Sequence, residues 1–242
     1  MKLCLLILSL LLSPQTSPQN VLTLYTQAAG GKEAIEKVRA VEMHLTIQEP
    51  EFTVDAIYKA DRNIRMRIDV YAGGKRVFTE GFDGKNGWQM GEDGKAKDAS
   101  ADGRAALRNG IFLPGKLFGL HELTALGHRI DYEGRQEVDG ISYHVLKVTL
   151  DSGMETFLFI HPETGRIERT RDVKALHPDV DPAKKLTEST SSDFRKIDGV
   201  LFAFQGVRKN LKTGETVQTT TLKEVKINPV FEDSVFDKPV SK

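Results

Sequence analysis

The run from Val41 to Phe82, "VEMHLTIQEPEFTVDAIYKADRNIRMRIDVYAGGKRVFTEGF", places apolar residues at every second position. Val41, Met43, Leu45 and Ile47 alternate with Glu42, His44 and Thr46. Phe52, Val54, Ala56 and Tyr58 follow, then Ile64, Met66, Ile68 and Val70 alternating with Arg65, Arg67 and Asp69. A fourth run covers Lys75 to Phe82. Successive side chains of a strand point to opposite faces, so this period of two marks strands with one buried face. Strands so close together, joined by turn residues, pair as an antiparallel meander. One face packs; the other meets solvent or a lined cavity.

The next stretch, Glu80 to Lys95, carries Asp83-Gly84, Asn86-Gly87, Asp93-Gly94 and the only tryptophan, Trp88. A calcium loop would need oxygen ligands at alternate positions and a closing Glu at the twelfth. Counted from Asp83, the third position is Lys85 and the twelfth is Gly94, so that pattern fails. Asn-Gly and Asp-Gly supply the positive φ of a type I′ hairpin turn. The stretch therefore predicts two tight reversals, one at Asp83-Gly87 and one at Asp93-Gly94. Asp139-Gly140 and Asp198-Gly199 repeat the device, each before an alternating strand.

Outward from this meander, residues 97–126 lose the alternation and are rich in Ala and Leu. Two short helices are expected there, broken near Asn109-Gly110 and Pro114-Gly115, with apolar surface that must cover a sheet face or plug an opening. Strands resume at His128 and run to Ile227, interrupted by a proline loop from Lys174 to Lys185. Before the meander, Val21, Leu22, Leu24, Tyr25 and Ala28 lie at helical spacing, with Asn20 as N-cap and Gly30-Gly31 as terminator. A second short helix carries Ala34, Ile35 and Val38. Phe231, Val235 and Phe236 are apolar anchors of the tail. The expected fold class is α+β: roughly ten strands in a strongly curved antiparallel sheet, an incomplete β-barrel, with N-terminal helices and a helical insertion covering the concave side.

The chain of 242 residues has 34 basic and 34 acidic side chains. That balance gives no long-range pull toward nucleic acid or an anionic membrane. Residues 1–20 read as a secretory signal: Lys2, an apolar run from Leu3 to Leu12, then "SPQTSPQN". The run is too short for a comfortable membrane span. Residues 21–242 then form a single exported domain. Cys4 is the only cysteine and lies in the signal, which excludes disulfide, thiol and zinc-thiolate chemistry from the mature protein.

No Gly-x-Ser-x-Gly elbow, phosphate loop or dinucleotide fingerprint occurs. "HELTA" at His121 lacks the second histidine of a zinc helix, since position 125 is Ala. His177, Asp179 and Asp181 crowd one loop, either as a weak cation site or as a solvated loop. His144 shares a strand face with Leu146, Val148 and Leu150. Arg169 and Arg171 share a face with Ile167, on an exposed edge strand or at an anion site. No catalytic set, metal site or cofactor is expected, and the protein reads as a non-enzyme.

A curved sheet under an apolar helical insertion can enclose an acyl chain, because each buried CH₂ contributes about 0.8 kcal/mol. The alternative is that the insertion completes a dry core. Ile64, Met66, Ile68, Trp88, Ile111, Phe112, Leu117, Phe118 and Leu120 are the candidate cavity residues, with Trp88 near the mouth.

The segments "LYTQAAGGKEAIEKVRAV", "EGFDGKNGWQM", "DYEGRQEVDGISYHVLKV", "FLFIHPETGRIERT", "SSDFRKIDGVLFAF" and "VKINPVFEDSVF" span about Leu22 to Phe236. In that order they resemble the outer-membrane lipoprotein-sorting family, with its LolA-type fold. The resemblance implies an incomplete barrel with a helical lid over an apolar cavity, acting as a periplasmic carrier of lipid or lipoprotein acyl chains. It also implies an arginine that couples the lid to cargo, for which Arg65, Arg67 and Arg76 are the candidates. A monomer without stable membrane insertion is expected. The second reading is a non-carrier envelope protein that uses the fold to bind a protein partner in assembly or stress sensing.

Overall fold

A computed structural model describes residues 17–113 and 117–240. The expected signal lies almost wholly outside the described residues. α1 (Pro18–Ala28) begins inside the range expected for the signal, and Ser17, not Asn20, caps it, its hydroxyl accepting from the Asn20 N–H. α2 (Lys32–Glu36) follows after Gly30-Gly31. At Gly30, φ is +123°, and a Cβ would sit 2.2 Å from the Gly199 carbonyl oxygen. This pair of glycines lets α1 dock on a hairpin turn at the far end of the sequence.

The meander forms as expected: β1 (Ala40–Glu49), β2 (Phe52–Asp61), β3 (Arg65–Ala72) and β4 (Lys75–Phe82). Ile64 departs from it. Its φ of 59° makes it part of the β2–β3 turn. Two strands were missed: β5 (Gly87–Met90) and β6 (Ala96–Asp98), both short. Asp83 closes the first reversal with its side chain, accepting from the Lys85 and Asn86 N–H groups. Asn86 and Gly87 do not have positive φ, so that pair opens β5 instead of forming a type I′ turn. In the second reversal only Gly94 has positive φ. Asp139-Gly140 and Asp198-Gly199 do adopt positive φ at both residues, as type I′ turns require.

α3 (Ala101–Phe112) is capped by Ser100 and runs unbroken through Asn109-Gly110. Burial of Leu107, Ile111 and Phe112 on one side outweighs the low helix propensity of that pair. The expected break at Pro114-Gly115 lies outside the described residues. α4 (Leu120–Leu123) follows. The remaining strands are β7 (Arg129–Val138), β8 (Ile141–Thr149), β9 (Glu155–Ile160), β10 (Ile167–Lys174), β11 (Lys185–Ile197), β12 (Val200–Asn210) and β13 (Thr216–Ile227).

Among the described residues one antiparallel sheet of 13 strands results, ordered β6-β5-β4-β3-β2-β1-β13-β12-β11-β10-β9-β8-β7. β6 and β7 are its two edges, so the barrel stays open, and the chain between them is α3 and α4. Phe82 of β4 and Leu146 of β8 belong to one apolar cluster, together with Ile111, Phe112, Leu117, Leu120 and Val21. Strands from opposite ends of a sheet share a core only if the sheet curls around the helices. The architecture is thus the expected incomplete barrel with helices on its concave side.

β10 is an interior strand, paired with both β9 and β11, and not an edge. A bulge between Ile167 and Arg169 also separates those residues. Ile167 packs with the core, whereas Arg169 and Arg171 lie on the convex face and share Glu188.

Candidate functional site

The concave face divides into a packed end and an open end. At the packed end, Ile111 and Leu120 are 0% exposed and Phe112 and Leu117 1%. Side chains with no accessible surface border no void that even water could enter. Met66 and Phe118 are buried with them. These candidate cavity residues belong to the packed core, and Ile64 and Ile68 pack against it.

Trp88 lies on the other face. It pairs with Gly81, whose Cβ would fall 2.6 Å from the indole ring, while neighbouring Phe82 points into the core. Its Nε1–H donates to the Phe236 carbonyl at 2.9 Å, and the Arg67 guanidinium lies over the ring. Trp88 therefore anchors the C-terminal segment on the convex side of the sheet.

Toward the other end of the strands the concave wall changes. Leu45 and Ile47 on β1, Val54 on β2, Ile68 and Val70 on β3 and Phe78 on β4 are only half-buried. Their shared face follows from the pairs Leu45–Ala56, Ala56–Val70 and Val70–Phe78. Ile68 is the one sequence-expected residue in this row, and both it and Leu45 also touch the core. Across the concavity the wall is polar: Gln218 and Thr220 on β13, Arg208 on β12, Thr187 and Ser189 on β11, and Asp172 and Lys174 on β10. Gly206 sits between the walls, and the nearest atom to a Cβ there is Thr220 Cβ at 4.0 Å. This end of the concave face thus sets a partly buried apolar wall opposite a polar one.

The β10–β11 loop crosses this end. His177 Nε2 meets Glu49 at 2.9 Å, and Glu49 also accepts from Gln218. Asp179 accepts from the Gln89 amide at 2.9 Å and from the Ser100 N–H at 2.8 Å. Asp181 pairs with Lys185. The three residues thus face separate partners, and among the described residues no group of His, Cys, Asp and Glu is placed to hold a metal ion. Below the loop, burial pushes the Glu80 carboxyl above its ordinary range, against the pull of His177 and Gln89. Burial pushes the Lys174 and Arg208 cations down, and Arg208 depresses Lys174 further. Shifts of this kind arise where charges are buried close together.

The helical cover is fastened by Arg62, in the turn between β2 and β3. Its Nη2 donates at 2.9 Å to the carbonyls of both Ile35 and Leu117. Nε donates to the Val38 carbonyl, Nη1 to Glu122, and the guanidinium lies over the Phe118 ring. Neither Arg65 nor Arg67 does this: both bind aspartates and the C-terminal segment on the convex face. Arg76 is exposed. Sequence reading missed Arg62 because it lies outside the strand alternation; its signal was a long cation inside an Asp-Arg-Asn turn.

His144 is buried on the concave face beside Leu146, as expected, and bonds the Tyr132 hydroxyl. Two open clefts lie elsewhere, one of about 640 Å³ between the α1–α2 turn, Asp198 and Asn228, the other of about 450 Å³ beside Gly87 and Arg104. Among the described residues no helix is long and apolar enough to cross a membrane.

No protein-family model and no curated protein sequence matches this chain. Solved structures do. A LolA superfamily protein from Nitrosomonas europaea superposes with a TM-score of 0.61 at 14% identity, over 92% of this chain and 98% of that one. A DUF1329 family protein from Desulfovibrio piger gives 0.57 at 10% identity, over 90% and 96%. A putative outer membrane lipoprotein-sorting protein domain from Vibrio parahaemolyticus gives 0.56 at 11% identity, over 89% and 95%. At such identities the likeness is one of fold, and the fold of this chain is LolA-like.

Proposed function

We propose that this chain is an exported, periplasmic binding protein that holds the acyl chain of a lipid or lipoprotein in the open half of its concave face. The observation that carries the reading is the row Leu45, Ile47, Val54, Ile68, Val70 and Phe78, apolar and half-buried inside a concavity. An apolar wall left partly wet is a surface that an acyl chain stabilises on contact, by about 25 cal/mol per Å² removed from water. The LolA-like fold supports the reading. The adjoining core under α3 and α4 would accept more of the chain if the Arg62 fastening opened.

The test is extraction of the purified mature protein with organic solvent, followed by mass spectrometry, alongside titration with a fluorescent fatty acid. Co-purified acyl lipid, or saturable probe binding lost in Ile47→Asp/Val70→Asp, supports the reading. Absence of both rejects it and leaves the protein-binding alternative.

A further inference from the structure

The polar wall opposite the apolar row has a chemistry of its own. Arg208 donates through Nε to Ser189 Oγ at 3.0 Å, the one hydrogen bond of its side chain among the described residues. The forked end of the guanidinium is left for another acceptor. Lys174 bonds Asp172 at 2.6 Å, and Asp172 also accepts from Thr187. Glu49 is engaged by Gln218 and His177. The nearby carboxylates Asp172 and Glu49 attract Arg208, but their own hydrogen bonds go to other donors, so the guanidinium fork keeps unused N–H groups. Hydroxyls of Thr187, Ser189 and Thr220 surround it on the same face. A guanidinium fork suits a carboxylate or phosphate, which it can bind with two parallel hydrogen bonds.

We infer that Arg208, supported by Lys174, binds the anionic head of an amphiphile whose acyl chain lies on the Ile47–Val70–Phe78 wall. The inference rests on the acyl-binding reading and narrows the ligand to anionic acyl lipids. Gly206 and Thr220 sit between head and chain sites, and the small side there leaves the ligand room to cross. Binding fills the unused donors of Arg208.

The test measures binding of laurate, its uncharged glycerol ester and inorganic phosphate to the delipidated protein and to Arg208→Gln, with Lys174→Gln as a second variant. Circular dichroism melts establish that each variant is folded. The expected result is that wild type prefers laurate to the ester and that Arg208→Gln lowers this preference about tenfold or more, the scale of a lost charge-assisted hydrogen bond. Lys174→Gln lowers it by less. Laurate and ester binding equally, with both variants unchanged, overturns the anionic head site while acyl binding stands. Phosphate binding that depends on Arg208, without laurate binding, identifies a free-anion site and rejects the lipid. No binding of laurate or ester rejects the acyl reading itself.

Discussion

Arg62 and Glu122 lie sixty residues apart and meet as an ion pair at the seam between the half-barrel and its helices. The same arginine satisfies carbonyls at Ile35, Val38 and Leu117, so one side chain ties α2, the start of the α4 segment and the β2–β3 turn. Arg62→Ala removes one donor from each of those carbonyls and leaves Glu122 with only the Gly119 N–H among the described residues. A loss of about 2–3 kcal/mol is expected, with faster hydrogen exchange at Leu120–Leu123 than at β1. Burial would raise the Glu122 carboxyl, but Arg62 and the Gly119 N–H outweigh it and hold it below the usual range. A depressed carboxyl stabilises above its unfolded pKa, so this contribution is lost as the pH falls from about 4.5 through the folded value. The stability gap between wild type and Arg62→Ala in denaturant melts should therefore narrow from pH 7 to pH 3, leaving the part due to the carbonyl hydrogen bonds. A gap that stays constant over that range contradicts the pairing.

The two halves of the concave face should respond differently to truncation. Leu120 is fully buried, so Leu120→Ala should cost about 2–5 kcal/mol in urea melts. Val70 is only partly buried, and Val70→Ala should cost under about 1 kcal/mol while weakening acyl-probe binding. Equal losses of stability would show that the open row is ordinary core.

Glu80 carries a burial penalty. Its raised carboxyl pKa means that the native state holds the proton more tightly than the unfolded chain. Stability is then greatest below the unfolded pKa and falls as the pH rises through the folded one. Glu80→Gln removes the penalty, so its melting temperature should exceed wild type at pH 7, by about 2–4 °C per kcal/mol relieved, and match it near pH 4. Identical melting curves at both pH values would contradict a penalised carboxylate.

Trp88 should report the C-terminal segment and not the ligand. Gly81→Ala drives a methyl into the indole and should cost about 1–3 kcal/mol, with a shift in tryptophan emission. Phe236→Ala should also shift the emission, because it loosens the segment whose carbonyl accepts from Nε1. Emission that follows acyl-probe binding, and not these substitutions, would place Trp88 at the site after all.

The strand meander was legible because Val41–Phe82 keeps a period of two and each paired strand keeps one face toward the core. β5 and β6 were not, because runs as short as Gly87–Met90 and Ala96–Asp98 carry too few alternations to register. The course of α3 through Asn109-Gly110 depends on tertiary burial of Ile111 and Phe112. The apolar residues of the insertion stood out by composition, yet composition does not separate a dry core from a cavity wall. The two walls come from β1–β4 and β10–β13, and no local pattern announces which distant strands will face each other. Arg62 escaped for a related reason: its partners come from α2 and the α4 segment.

The central claim is that an acyl chain lies on the open half of the concave face. Photo-crosslinking with a diazirine-bearing fatty acid, followed by peptide mapping, tests it most directly. The account predicts adducts on the β1–β4 wall, at Ile47, Val54, Val70 and Phe78, competed away by unlabelled fatty acid. Adducts confined to the convex face, or labelling that unlabelled fatty acid does not reduce, would contradict it.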